Sequence, residues 1–317
     1  MRATASSPRV GARELLLTIT LAFLLFSWAG AQPNEDQRKL REGVHKLCER
    51  SIKSAFSRIR PLIADDYSEI ANRQDLVVFA PYGEFNALAI YQEKRVVITW
   101  GFCDQIWLVL SCALIGELFP DYRDKLNPYV KYVSDRTLAI ERTAPKGRLV
   151  ENEVLTFPLY AGIDVRRITQ PQLDMVWGIV SEAMPNAMAF AIAHEIGHLA
   201  LRHRDYNAIP ARESRAQEFA ADRFASRIMS SLMGNEFDPT FTTSLLLLLF
   251  REAGASPNPT ATHPPTHCRL GRVMLDVGVI DRIKEDPGMS RDFQRRTGYT
   301  PHEVIRLLRE MRDDCRK

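Results

Sequence analysis

The chain has 317 residues, 45% hydrophobic and 26% charged, which is enough to bury a sizeable core and too apolar for a disordered polymer. Its 42 Lys and Arg against 39 Asp and Glu exclude the marked basic excess of a general nucleic-acid binder. Five cysteines without a CxxC pair argue against a cysteine-based zinc site.

In chain order, the first segment is an address. Arg2, Arg9 and Arg13 precede an apolar stretch from Leu15 to Ala29, and Ala29-Gly30-Ala31 supplies a small-x-small cleavage pattern. The stretch falls short of the about 20 residues that cross a bilayer as a helix. The expectation is a signal peptide over 1–31, cut after Ala31, with export to the periplasm or beyond and no stable transmembrane segment afterwards. Leu245 to Phe250 is too short to span and reads as a buried helix core. Export permits disulfides, but Cys48, Cys103, Cys112, Cys268 and Cys315 are odd in number and their spacing sets no pairing.

Residues 32–74 read as an N-terminal helical segment, because Leu40, Val44, Leu47, Ile52, Phe56 and Ile59 recur at helical spacing. The β-branched runs Leu76–Phe79 and Arg95–Thr99, with Asn86–Ile90 between them and turns at Gly83 and Gln92-Glu93, predict a small antiparallel sheet. Phe102 to Phe119 returns to helix. Residues 120–170, interrupted by Pro120, Pro128, Pro145 and Pro158, read as an insertion or cap over the core. Four helical patterns follow: Gln172–Ala183, Asn186–His203, Glu213–Met233 and Thr240–Ala253, the second opened by Pro185 with Asn186 as its cap. A loop rich in Pro and Thr, Ser256 to Thr266, leads into more helix and a charged helical tail over 281–317. The class is α+β, mostly helical, with its main domain at 75–280.

The chemistry sits in His194-Glu195-Ile196-Gly197-His198, an H-E-x-x-H pentapeptide inside an apolar helical run. Residues four apart on an α-helix are offset by about 40° and one turn, so both imidazoles project to one side and can share a metal ion. Glu195, one step round the helix, stands beside such an ion as a base for water. Two imidazoles and a carboxylate buried together without a metal are costly to desolvate. A third ligand is needed. The metzincin position, six residues after the second histidine, holds Arg204, which excludes that class. Glu218 and Asp222, four apart on the next helix, offer a carboxylate ligand and an acid to orient a ligand histidine. Glu213 reads as a solvated helix carboxylate, His203 and His45 as ordinary histidines.

His194-Glu-Ile-Gly-His198 followed by Glu218-Phe-Ala-Ala-Asp222 resembles the CAAX prenyl protease and HtpX-type zinc metallopeptidases, with their E-x-x-A-D helix. Thr262-His263-Pro264-Pro265 with Arg269, and Asn86-Ala87 with Val96-Val97-Ile98-Thr99, resemble two further signatures of that family in the same order. The resemblance implies a zincin-like core with one zinc per chain held by His194, His198 and Glu218. Glu195 would be the general base, His263 an oxyanion donor, Asn86 a residue that holds substrate main chain, and Asp222 and Arg269 a shell behind the ligands. The absence of the family's several spanning helices fits a soluble, exported branch acting on polypeptides and associating with envelope proteins, and His267 has no family role and reads as loop. The rival is a zinc-holding exported chaperone or assembly factor with gated cleavage.

Overall fold

The computed structural model describes residues 35–81, 86–143, 154–205, 208–233, 266–276, 281, 284–288, 290–291, 294 and 300–313. The signal segment 1–31, the turn at Gly83, the expected helix Thr240–Ala253, residues 256–265 of the loop, and His263 with them, lie outside these. The described chain is mostly helical with one small sheet, an α+β arrangement.

Helix α1 (Glu35–Ile63) buries Leu40, Val44, Leu47, Ile52, Ala55, Ile59 and Ile63, one apolar stripe at helical spacing. A short α2 (Ser68–Ala71) leads to β1 (Val77–Ala80), β2 (Ala87–Ile90) and β3 (Arg95–Thr99). The sheet is mixed, not antiparallel: β3 is central, β2 pairs with it antiparallel through Ala87 opposite Ile98, and β1 pairs with it parallel through Val77 opposite Val96. Residue runs reveal strands, whereas pairing direction depends on the route of the connections. The central strand is the most deeply buried, which suits its β-branched composition.

Helix α3 (Trp100–Leu118) starts at Thr99, whose hydroxyl accepts from the Phe102 N–H at 3.3 Å. The same hydroxyl accepts from the Asn86 N–H at 3.0 Å and donates to the Asn86 carbonyl at 2.8 Å. One threonine thus fixes the helix start and the entry to β2 together. A 3₁₀ turn (Pro120–Lys125), α4 (Leu126–Thr143) and α5 (Phe157–Ala161) cover α3, with Tyr129, Val133 and Phe157 buried.

The central element is α6 (Gln170–Ala200), a single helix of 31 residues. The boundary expected at Pro185-Asn186 is absent. Proline does cost a helix interior about 3 kcal/mol, but Val180, Ala183, Met184, Ala187 and Met188 are all buried on either side of it, and continuous packing prevails. Asn186 is not a cap; its Oδ1 accepts from Arg58 Nη1 of α1 at 2.8 Å. By length and composition α3 and α6 could each cross a membrane, but 78% and 56% of their apolar stretches are buried in the protein.

Helix α7 (Ala211–Met233) returns along α6, α8 (Thr266–Asp276) packs on α7, and α9 (Pro301–Asp313) packs on α8 through Ile305 and Leu308. His267, read as loop, falls in the first turn of α8. A disulfide joins Cys48 of α1 to Cys103 of α3, with Cα atoms 6.1 Å apart, while Cys112 is free and buried. Closing a loop of 55 residues restricts the unfolded chain by about 4 kcal/mol in the chain-entropy account. Replacing Cys48 and Cys103 by serine together should therefore lower unfolding stability by about 2–4 kcal/mol; equal urea midpoints for variant and wild type would contradict it.

Candidate metal centre

The site is built where the C-terminal end of α6 meets α7. His198 meets Glu218 and His194 meets Asp222, the crossed order of an antiparallel helix pair. Close approach is possible because residue 197 is glycine: a Cβ there would stand 3.2 Å from Phe224 Cβ and from two of its ring carbons. A larger residue would push α7, and with it Glu218, away from α6.

Four ligand-type atoms from three residues converge. His194 Nε2 lies 3.1 Å from His198 Nε2, His194 Nε2 lies 3.4 Å from Glu218 Oε2, and His198 Nε2 lies 3.4 Å from Glu218 Oε1. Bonds of about 2.0–2.1 Å at tetrahedral angles place ligand atoms roughly 3.3–3.4 Å apart, so the two imidazole–carboxylate separations fit a tetrahedral metal ion and the imidazole pair stands slightly closer. His194, His198 and Glu218 are each no more than 8% exposed and form the one such group of potential metal ligands among the described residues.

The surroundings complete the donor set. His194 Nδ1 is 2.9 Å from Asp222 Oδ1, and Asp222 is gripped by Arg269 of α8, whose Nε and Nη2 donate at 2.9 and 2.8 Å. Arg269 Nη1 is also 3.5 Å from Glu218 Oε2. Glu195 keeps 14% of its side chain open to solvent, 4.0 Å from His194 Nε2, and accepts a backbone hydrogen bond from Ala89 of β2. Glu195, Glu218 and Asp222 thus face one guanidinium, an excess of two negative charges when the imidazoles are neutral, which a metal cation could balance.

The acid–base balance of the chain carries the same message. Burial opposes a charge on His194, yet its contacts with Asp222 and Glu218 outweigh that and raise it to about 10. Burial and the neighbouring His194 lower His198 to about 3. Burial lifts Glu195 to about 7, close to the range of a general base at neutral pH. Burial would also lift Glu218, but His194 and Arg269 hold it well below the usual carboxylate range.

Two neighbours escaped the sequence reading. His203 Nδ1 is 3.0 Å from His198 Nδ1, and the Tyr91 hydroxyl, on the turn after β2, is 3.3 Å from the same atom. No local spacing rule points to either, since one comes from beyond the end of α6 and the other from the sheet. Asn86 is exposed beside β2, and the Thr99 contacts hold its main chain. Glu213 stays out of the cluster, paired with Arg204.

Residues 165–283 match the family model Peptidase U49, a span that takes in α6, α7 and α8 and therefore His194, Glu195, His198, Glu218, Asp222 and Arg269, but not the sheet. The match indicates a peptidase family and supports a proteolytic function; it does not point specifically to the CAAX prenyl protease or HtpX-type enzymes. No curated relative and no solved structure matches the chain.

Removing the guanidinium leaves Asp222 and Glu218 with only the His194 imidazolium as buried counter-charge. Arg269→Met should cost the metal-free protein about 3–5 kcal/mol of unfolding stability. A change under about 1 kcal/mol in a chelator-treated urea titration would mean that Asp222 and Glu218 are solvated after all.

Proposed function

We propose that the protein is a zinc-dependent endopeptidase of the glutamate-zincin type, and that it acts on polypeptides outside the cytoplasm. The observation that carries this reading is the buried convergence of His194, His198 and Glu218 beside a partly open Glu195, inside a segment that matches a peptidase family. Two imidazole nitrogens and one carboxylate are a donor set that suits zinc and leaves a position for chemistry. Export is supported by the basic and apolar N-terminal segment and by the Cys48–Cys103 disulfide, which persists in oxidising compartments. Residues 281–317 and 32–74 would flank the peptidase domain, and envelope proteins would be its associates and substrates.

When bound, zinc would polarise the scissile carbonyl and acidify a water molecule. The protein's own groups do the rest. The Glu195 carboxylate accepts a proton from the attacking water as the C–O bond forms, and then delivers it to the departing amine nitrogen as the C–N bond breaks. The Ala89 N–H steadies that carboxylate. Asp222, held by Arg269, turns His194 so that Nε2 faces the ligand side. By family resemblance, His263 would donate to the developing oxyanion and Asn86 would hold an extended substrate along β2.

Glu195→Gln removes the base but no ligand. It should lower cleavage of casein by about 10²–10⁴-fold or more while zinc stoichiometry stays at one per chain; undiminished casein cleavage would assign the base elsewhere. Glu218→Ala, by contrast, should lose zinc on dialysis together with activity, and metal retained at full stoichiometry would show that another group closes the site.

A further inference from the structure

The two ligand histidines are supported in different ways. Behind His194 stands a carboxylate, Asp222, at 2.9 Å from Nδ1. Behind His198, whose Nε2 faces Glu218 and His194, Nδ1 lies 3.0 Å from Nδ1 of another histidine, His203, with the two rings steeply inclined at 78°. An imidazole that offers the Nε2 lone pair to a metal carries its proton on Nδ1, and that proton needs an acceptor. His203 Nδ1 is placed to be it.

The backbone delivers His203 to this point by a specific device. Helix α6 closes with the His203 N–H donating to the His198 carbonyl at 3.0 Å and the Arg202 N–H donating to the Leu199 carbonyl at 3.2 Å. Those are the two bonds of a Schellman closure, and Arg202 occupies the left-handed position at φ 53° where glycine is the usual residue. A non-glycine residue at that position carries a conformational cost of about 1 kcal/mol or more. The chain therefore folds back immediately after the second histidine of the pentapeptide and sets the ring of residue 203 against that of residue 198.

We infer that His203 is a positioning residue for His198: it accepts the His198 Nδ1 proton, fixes the tautomer that presents Nε2 to the metal, and so sets the affinity of the site. This rests on the zinc reading above and adds to it an outer partner that the pentapeptide does not contain. Tyr91, 3.3 Å from the same nitrogen, approaches from the β2 turn at a longer distance and closes the other side.

The experiment is zinc competition against a chromogenic chelator, with the full exported chain, for wild type, His203→Ala, His203→Gln and Tyr91→Phe, each also loaded with cobalt for its visible spectrum. Outer-shell partners of ligand histidines change metal affinity by about 10–100-fold. His203→Ala should weaken zinc by that factor with stoichiometry still one at saturation, an altered cobalt spectrum and an unchanged unfolding midpoint of the chelator-treated protein. His203→Gln, which restores an acceptor, should recover most of the affinity. Equal zinc affinity in wild type and His203→Ala overturns the positioning role alone, as does a loss that appears only in Tyr91→Phe. A loss in His203→Ala matched by a fall of the metal-free midpoint, and not rescued by glutamine, also overturns it. A wild-type chain that retains no zinc overturns the zinc reading, and the role of His203 with it.

Discussion

Burying like charges is the constraint around which the described chain is organised. Glu195, Glu218 and Asp222 are brought together at one end of α6 with a single guanidinium to face them. An isolated ionised carboxylate in an apolar medium is prohibitively costly, so such a cluster persists only when counter-charge is built in. Arg269 supplies part of it from α8. In the metal-free chain a proton on His194 supplies another part, which is why that imidazole is raised to about 10 despite its burial. A dication would displace this proton, since a ligand histidine binds through a free lone pair, and metal uptake is thereby coupled to proton release.

Holding that cluster demands rigid support, and the scaffold provides it from several sides. Helix α6 is packed by α1, α3, α7 and the sheet, and its interior proline is tolerated within that packing. Gly197 lets α7 approach to the distance at which Glu218 meets both imidazoles. The disulfide ties α1 to α3, two of the helices that embrace α6, so the oxidised bond steadies the frame without touching the ligands. The 3₁₀ turn, α4 and α5 lie over α3 and add to the burial of that helix.

Much of this was legible because it obeys local periodicity. The i, i+4 spacing of His194 and His198, and of Glu218 and Asp222, states which side chains share a helix face, and a ten-residue reversal between the helices brings the faces together. What stayed hidden depended on tertiary context. Pro185 looks like a boundary in any window read alone, and only the buried residues on both sides of it show that the helix continues. β1 pairs parallel with β3, although two short strands with a turn between them suggest a hairpin, because β2 takes the antiparallel partnership instead. His203 lies five residues from His198, a spacing that a regular helix would turn away from the site; the Schellman closure reverses it, and no motif announces an arginine in the left-handed conformation.

The sheet and the helix meet in register, and this explains why a strand that the peptidase-family match does not reach still bears on the site. Ala89 lies in β2 and Tyr91 opens the turn that follows it. Glu195 and His198 are three apart on α6, on one face and about 4.5 Å along its axis. The Ala89 N–H engages Glu195 while the Tyr91 hydroxyl reaches His198, so β2 and its turn run along this part of the helix. A shift of β2 by a single residue would turn both contacts away together. The Thr99 hydroxyl resists that shift, since it holds the Asn86 main chain at the entry to β2 and at the same time starts α3. The strand contacts of Glu195 and His198 are therefore set by one register, fixed at a threonine that touches neither.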